Sequence, residues 1–247
     1  VAALAAALCV CAAFPAMAGP LGNLFGGHPR DGRESAAPPI ARYVSEDGDV
    51  FTLDRTGPKP LLKFESSFEV WALQPQQGPR GDTIYKNDLG EPVLRATRLG
   101  GVTVFTDHRP DGEAAAFAGP GTPLRLAIMG PQALFERLAQ ASFRASHAVR
   151  RLIPFEAEAT PASSALIADA ALVTSEAMVR MSKRSASRRF LDHILKVKLV
   201  EGQRADCDLG GDGVLQVTVS PPQGQAGRPS SDRILHQVGQ AFVSGRN

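Results

Sequence analysis

Histidines, carboxylates, one isolated thiol and a run of arginines are the side chains of this 247-residue chain that could do chemistry. The histidines do not cluster. His28, His108, His147, His193 and His236 fall in five separate segments, and no pair has the spacing of zinc ligands. Asp107-His108 and Asp192-His193 are adjacent, but adjacency along a chain does not by itself make a catalytic dyad. No G-x-S-x-G elbow, S-x-x-K, H-E-x-x-H, phosphate loop or G-x-G-x-x-G is found. Catalytic groups also assemble across a fold, so these absences weigh against an enzyme without excluding one. Asp206, Asp208 and Asp212 stand at offsets one, three and seven of a calcium-loop pattern, with Gly211 at six. Gly210 at five and Val217 at twelve supply no ligand, so a tight acidic turn is expected and neither metal nor cofactor.

Two segments carry binding chemistry. Arg180, Lys183, Arg184, Arg188, Arg189, Lys196 and Lys198 are opposed only by Asp192. In a continuous helix Arg180, Arg184 and Arg188 would share a face. Such a stripe would hold an anionic envelope polymer or lipid headgroups, at about 1 kcal/mol per basic residue near a charged surface. Ser182, Ser185 and Ser187 argue instead for a turn between two helices. The second segment, 74–82, is stiffened by Pro75, Gly78, Pro79 and Gly81 and is read as a loop, which suits a binding surface. Its expected contacts are Arg80, Asp82 and Tyr85; those of the basic segment are Arg184, Arg188 and Arg189. Trp71 leads into the loop and reads as core or rim packing. A net charge of +2 is too small to point to nucleic acid.

The first eighteen residues bear no charge and close on Phe14-Pro15-Ala16-Met17-Ala18, so a signal peptide cut after Ala18 is expected. An uncleaved membrane anchor, or a lipoprotein built on Cys9 or Cys11, are the alternatives. Cleavage would leave Cys207 as the only thiol, without an internal disulfide or a transmembrane span in the mature chain. The absence of an Asn-x-Ser/Thr sequon and the preference for Arg over Lys fit a GC-rich bacterium. A periplasmic or secreted location follows.

Elements must position these residues. Residues 19–39 read as a disordered leader. Residues 40–129 alternate apolar and polar between turn signals, which predicts paired strands at 42–45 with 50–53, 61–65 with 68–73, 83–86 with 93–97, and 102–106 with 114–117. A further strand is expected at 124–129. That is an antiparallel meander or small barrel. Over 131–202 the period becomes helical, with helices from Pro131 to about 152, from about 161 to 181, and over 185–200. A last strand is expected at 213–220, then a linker and short amphipathic helix within 221–247, its face made by Ile234, Leu235, Val238 and Phe242. The fold class is a single α+β domain spanning 40–220.

The run Pro79-Arg80-Gly81-Asp82-Thr83-Ile84-Tyr85-Lys86-Asn87-Asp88, taken up again from Leu94-Arg95-Ala96-Thr97-Arg98 through Leu99-Gly100-Gly101-Val102-Thr103-Val104-Phe105, resembles a family of uncharacterised exported bacterial proteins. The resemblance covers most of the mature chain and implies no activity, cofactor or substrate. The sequence therefore leads to a non-enzymatic protein that binds or organises an envelope component. A hydrolase using His108 or His193 with a carboxylate is the first alternative. A module docking an envelope protein through its C-terminal helix is the second.

Overall fold

The computed structural model describes residues 37–244, so the signal peptide and most of the expected leader lie outside the described residues. The first half is a nine-stranded antiparallel sheet that rolls into a nearly closed barrel. Its strands are β1 (Ile40–Ser45), β2 (Val50–Asp54), β3 (Leu61–Phe64), β4 (Val70–Ala72), β5 (Gln74–Gln77), β6 (Thr83–Lys86), β7 (Pro92–Ala96), β8 (Val102–Thr106) and β9 (Arg109–Pro120). They lie in the order β4-β3-β2-β1-β9-β8-β7-β6-β5. The four expected hairpins all form. Period-two alternation sends Ala41, Tyr43, Phe51, Leu53, Leu62, Leu94 and Val104 inward. Fully burying a side chain of this kind contributes roughly 1.5–3 kcal/mol.

The two ends of the sheet, β4 and β5, are consecutive in the chain and are joined only by Leu73, which is fully buried. One bent run thus pairs with β3 through its first half and with β6 through its second. The loop expected at 74–82 is therefore a strand followed by a 3-10 turn at Pro79–Gly81. Its polar, fully exposed Gln-Pro-Gln-Gln sequence suits an edge, where Pro75 withholds an N–H that no partner needs. No strand forms at 124–129.

The second half packs α1 (Pro131–Val149), α2 (Ser164–Lys183), α3 (Ser185–Leu191) and α4 (Ser231–Ser244) with a four-stranded sheet. That sheet runs β10 (Phe155–Ala157), β11 (Lys196–Glu201), β13 (Val214–Val219), β12 (Asp206–Leu209), with only the β12–β13 pair antiparallel. Helix α2 is the centre of this core, with Leu166, Ile167, Ala170, Ala171, Ala177, Met178 and Met181 buried. The fold is α+β, as expected, but the third helix is not the one predicted over 185–200. It stops at Leu191, and 196–201 is a strand. Phe190, Leu191, Ile194 and Leu195 imitate helical spacing, whereas Lys-Val-Lys-Leu-Val alternates: Val197 and Leu199 are buried, and Lys196 and Lys198 pair with Glu156 of β10 and Glu158 just beyond it. The segment expected as a linker after the last strand begins with a 3-10 turn at Pro221–Gly227 and then runs through buried residues to α4.

Candidate functional site

Residues 227–231 are the keystone of the molecule. Gly227 is buried, and a Cβ there would lie 2.0 Å from the Ser220 carbonyl oxygen, so only glycine lets the chain pass. Arg228 follows, with its side chain 2 % exposed. Its Nη2 donates to the Val70 carbonyl at 2.7 Å, its Nη1 lies 3.5 Å from Glu69 Oε1, and its Nε donates to Asp169 of α2. Glu69, equally buried, accepts the Ser231 N–H at 2.9 Å and the Ser231 hydroxyl at 2.5 Å. Ser230 caps α4 by accepting the Arg233 N–H, while its own N–H and hydroxyl donate to Asp88 between β6 and β7. One short segment thus ties barrel strand β4 and the β6–β7 turn to helix α2.

Burial pushes the Glu69 carboxyl above its ordinary range although Arg228 and Ser231 pull it down. Asp232 is raised for the same reason, against the pull of Arg180. Burial opposes the Arg228 charge, but Asp169 and Glu69 outweigh it and hold the guanidinium protonated.

Above this seam a cleft of about 310 Å³ opens at the barrel mouth. Phe64, Ser66, Ser67, Glu69 and Trp71 line it from the β3–β4 hairpin, and Phe105, Thr106, Asp107 and His108 from β8 and its turn. Asp49 contributes from the β1–β2 turn, Glu176 and Arg180 from α2, and Ser231 from α4. The polar groups are largely immobilised by one another. Arg180 reaches Ser231 Oγ and Asp232 at 2.7 Å, Asp107 accepts from Arg184 at 2.7 Å, and Glu176 pairs with Arg144. Phe64 and Trp71 meet edge to face, 6.4 Å between centroids. A larger hollow of about 630 Å³ lies between residues 54–61 and the 221–227 turn, but Asp54 there is already occupied by Thr56 and the Leu124 N–H. The cleft at the barrel mouth is the better candidate: its side chains come from several elements and are preorganised.

The residues expected to bind are not gathered in one place. Arg80 is exposed at the tip of its turn, with a φ of 60°. Asp82 is buried and holds Arg95, and Tyr85 lies inside the barrel at 6 % exposure. Helix α2 ends before Arg184, so Arg180, Arg184 and Arg188 do not form a continuous stripe. Arg184 faces Asp107, Arg188 is exposed, and the Arg189 guanidinium lies 5.3 Å from the Phe190 ring centroid. The apolar face of α4 is turned inward: Ile234 and Val238 are fully buried, and Phe242 packs on Phe190 and His193. His193 therefore stands outside the cleft that His108 lines. Cys207 is 4 % exposed, and burial pushes its thiol up to about 12, which makes it an inert packing residue. Glu69, Arg228 and Ser231 were missed. The available signal was a glutamate sharing the apolar strand face of Trp71 and Leu73.

Fold and cleft define a barrel whose mouth is joined to a helix-covered mixed sheet by a buried ionic strap. The chain belongs to the family described as Domain of unknown function (DUF4908), which it matches over residues 20–238. This bears out the uncharacterised family read from the segments within 79–105. No curated protein and no solved structure matches it. Among the described residues no helix is long and apolar enough to cross a membrane.

Proposed function

We propose that this is an exported, non-enzymatic protein that binds an envelope component in the cleft at the barrel mouth. One observation carries the reading: most of the cleft's charged groups are held by partners in other elements while the aromatics Phe64 and Trp71 line the same space. A rigid polar frame around apolar walls is the construction of a recognition site. The exposed Arg80, Arg188 and Arg189 lie outside it and supply secondary contacts to an anionic polymer or headgroup phosphate. The test is co-sedimentation with isolated bacterial envelopes, alongside fractionation and N-terminal sequencing of the mature chain, expected to begin at Gly19. Phe64→Ala should reduce binding at low and high salt. The pair Arg188→Glu and Arg189→Glu should reduce it only at low salt, because exposed charges are screened. Envelope binding unchanged in both variants would overturn the reading, as would a chain retained in the cytoplasm.

A hydrolase is the second reading. It draws on His108, which lines the cleft together with Asp49, Glu69 and Glu176, carboxylates beyond its own sequence neighbour. Envelope polymer cleavage that disappears in His108→Ala would favour it, and no cleavage by the unaltered chain would sink it.

A further inference from the structure

Resting on the reading of the cleft as a binding site, we propose that its ligand group is an organic ammonium, from an amine-bearing lipid headgroup or a free amine, held between the aromatic wall and Asp49. The wall comes from Phe64 of β3 and Trp71 of β4, whose rings meet edge to face at the barrel mouth. Aromatic faces carry negative quadrupole density, and alkylated or primary ammonium groups are the cations they attract best when water is thinned. The adjoining rim already makes such a contact, with the Arg144 guanidinium 4.9 Å from the Phe68 ring centroid.

Charge points the same way. Among the described residues Arg180 is the only guanidinium lining the cleft, and Asp232 and Ser231 hold it. The lining carboxylates of Asp49, Glu69, Asp107 and Glu176 outnumber it, and among the described residues Asp49 has no cationic partner within 4.0 Å. Glu69, Asp107 and Glu176 are already paired with Arg228, Arg184 and Arg144, so an entering ammonium completes the pairing of Asp49, the lining carboxylate left over. A space of about 310 Å³ admits a headgroup-sized ligand and no folded partner.

Trp71 is the chain's only tryptophan and lines the cleft, so its emission responds to a ligand bound there, and the cleft variants assign the response. The full chain is titrated with choline chloride and with spermidine at constant ionic strength, with sodium chloride as control, and separately with phosphatidylcholine vesicles. A saturable emission change with an amine, absent with sodium chloride, is expected. Asp49→Asn and Phe64→Ala, each confirmed folded by circular dichroism, should weaken it roughly tenfold, the scale of one desolvated cation contact. Tighter response to vesicles than to free amines would identify a lipid source; the reverse would identify a soluble amine. Two results overturn the ammonium: no saturable change with any probe, or a change that both variants leave intact. Silent amine titrations with Phe64→Ala still losing envelopes would remove the ammonium and keep the binding reading. Cleft variants that change neither would remove both.

Discussion

Arg228 joins the barrel to the helical half through one side chain, because its donors reach Glu69, Val70 and Asp169 at once. Arg228→Ala leaves two carboxylates facing each other without a counter-charge and should cost about 3–5 kcal/mol, measured as a shift in denaturant midpoint. Glu69→Gln tests the same seam through pH. The Glu69 pKa is raised in the fold, so ionising it favours the unfolded chain. Its contribution is fully present below the ordinary value of 4.5 and is lost as pH rises through the raised folded value. The stability of the unaltered chain minus that of Glu69→Gln should therefore fall with rising pH and then level off. A difference that grows with pH would contradict the burial argument. Cys207 offers a simpler check. In a Cys9→Ser, Cys11→Ser background, a thiol reagent at neutral pH should label it only after unfolding, since almost none of a buried thiol near 12 is thiolate.

At the scale of elements, the decisive piece is the turn that precedes α4. It reads in sequence as Pro, Gly, Gln and Ser, the composition of a linker, and yet it delivers Arg228, Ser230 and Ser231 into the seam. Gly227→Ala should destabilise the chain by about 1–3 kcal/mol, because the new methyl meets backbone that has no rotamer to yield. A midpoint unchanged from the parent would show that the turn relaxes freely. Composition could not reveal this, since Gly and Pro are favoured equally by mobile linkers and by tight passages against backbone. The four barrel hairpins were legible, for the opposite reason. Alternation and turn residues both act between neighbours in the chain, so local sequence specifies them. Strand β11 was read as helix because four apolar residues just before it have helical spacing. Its true pairing partners, β10 and β13, lie far along the chain.

For the whole molecule, α4 is part of the core and not a free docking arm. Truncation before Ser231 removes Ile234 and Val238 from that core and Ser231 from the seam. The shortened chain should bind a hydrophobic dye and lose near-ultraviolet circular dichroism, as expanded states with fluctuating packing do. A truncated chain with native spectra would show that the helical layer closes without α4. By itself the sequence determined the α+β class, the barrel hairpins and the family, each of them set by periodicity, composition or motif within a short window. The tertiary structure alone decided the binding chemistry. It turned Tyr85 into the barrel, committed Arg180 and Arg184 to carboxylates, and brought Glu69 beside Arg228 from 159 residues away. A charge placed on a strand says only that it needs a partner; which one it meets is fixed when barrel and helices close over it and exclude water.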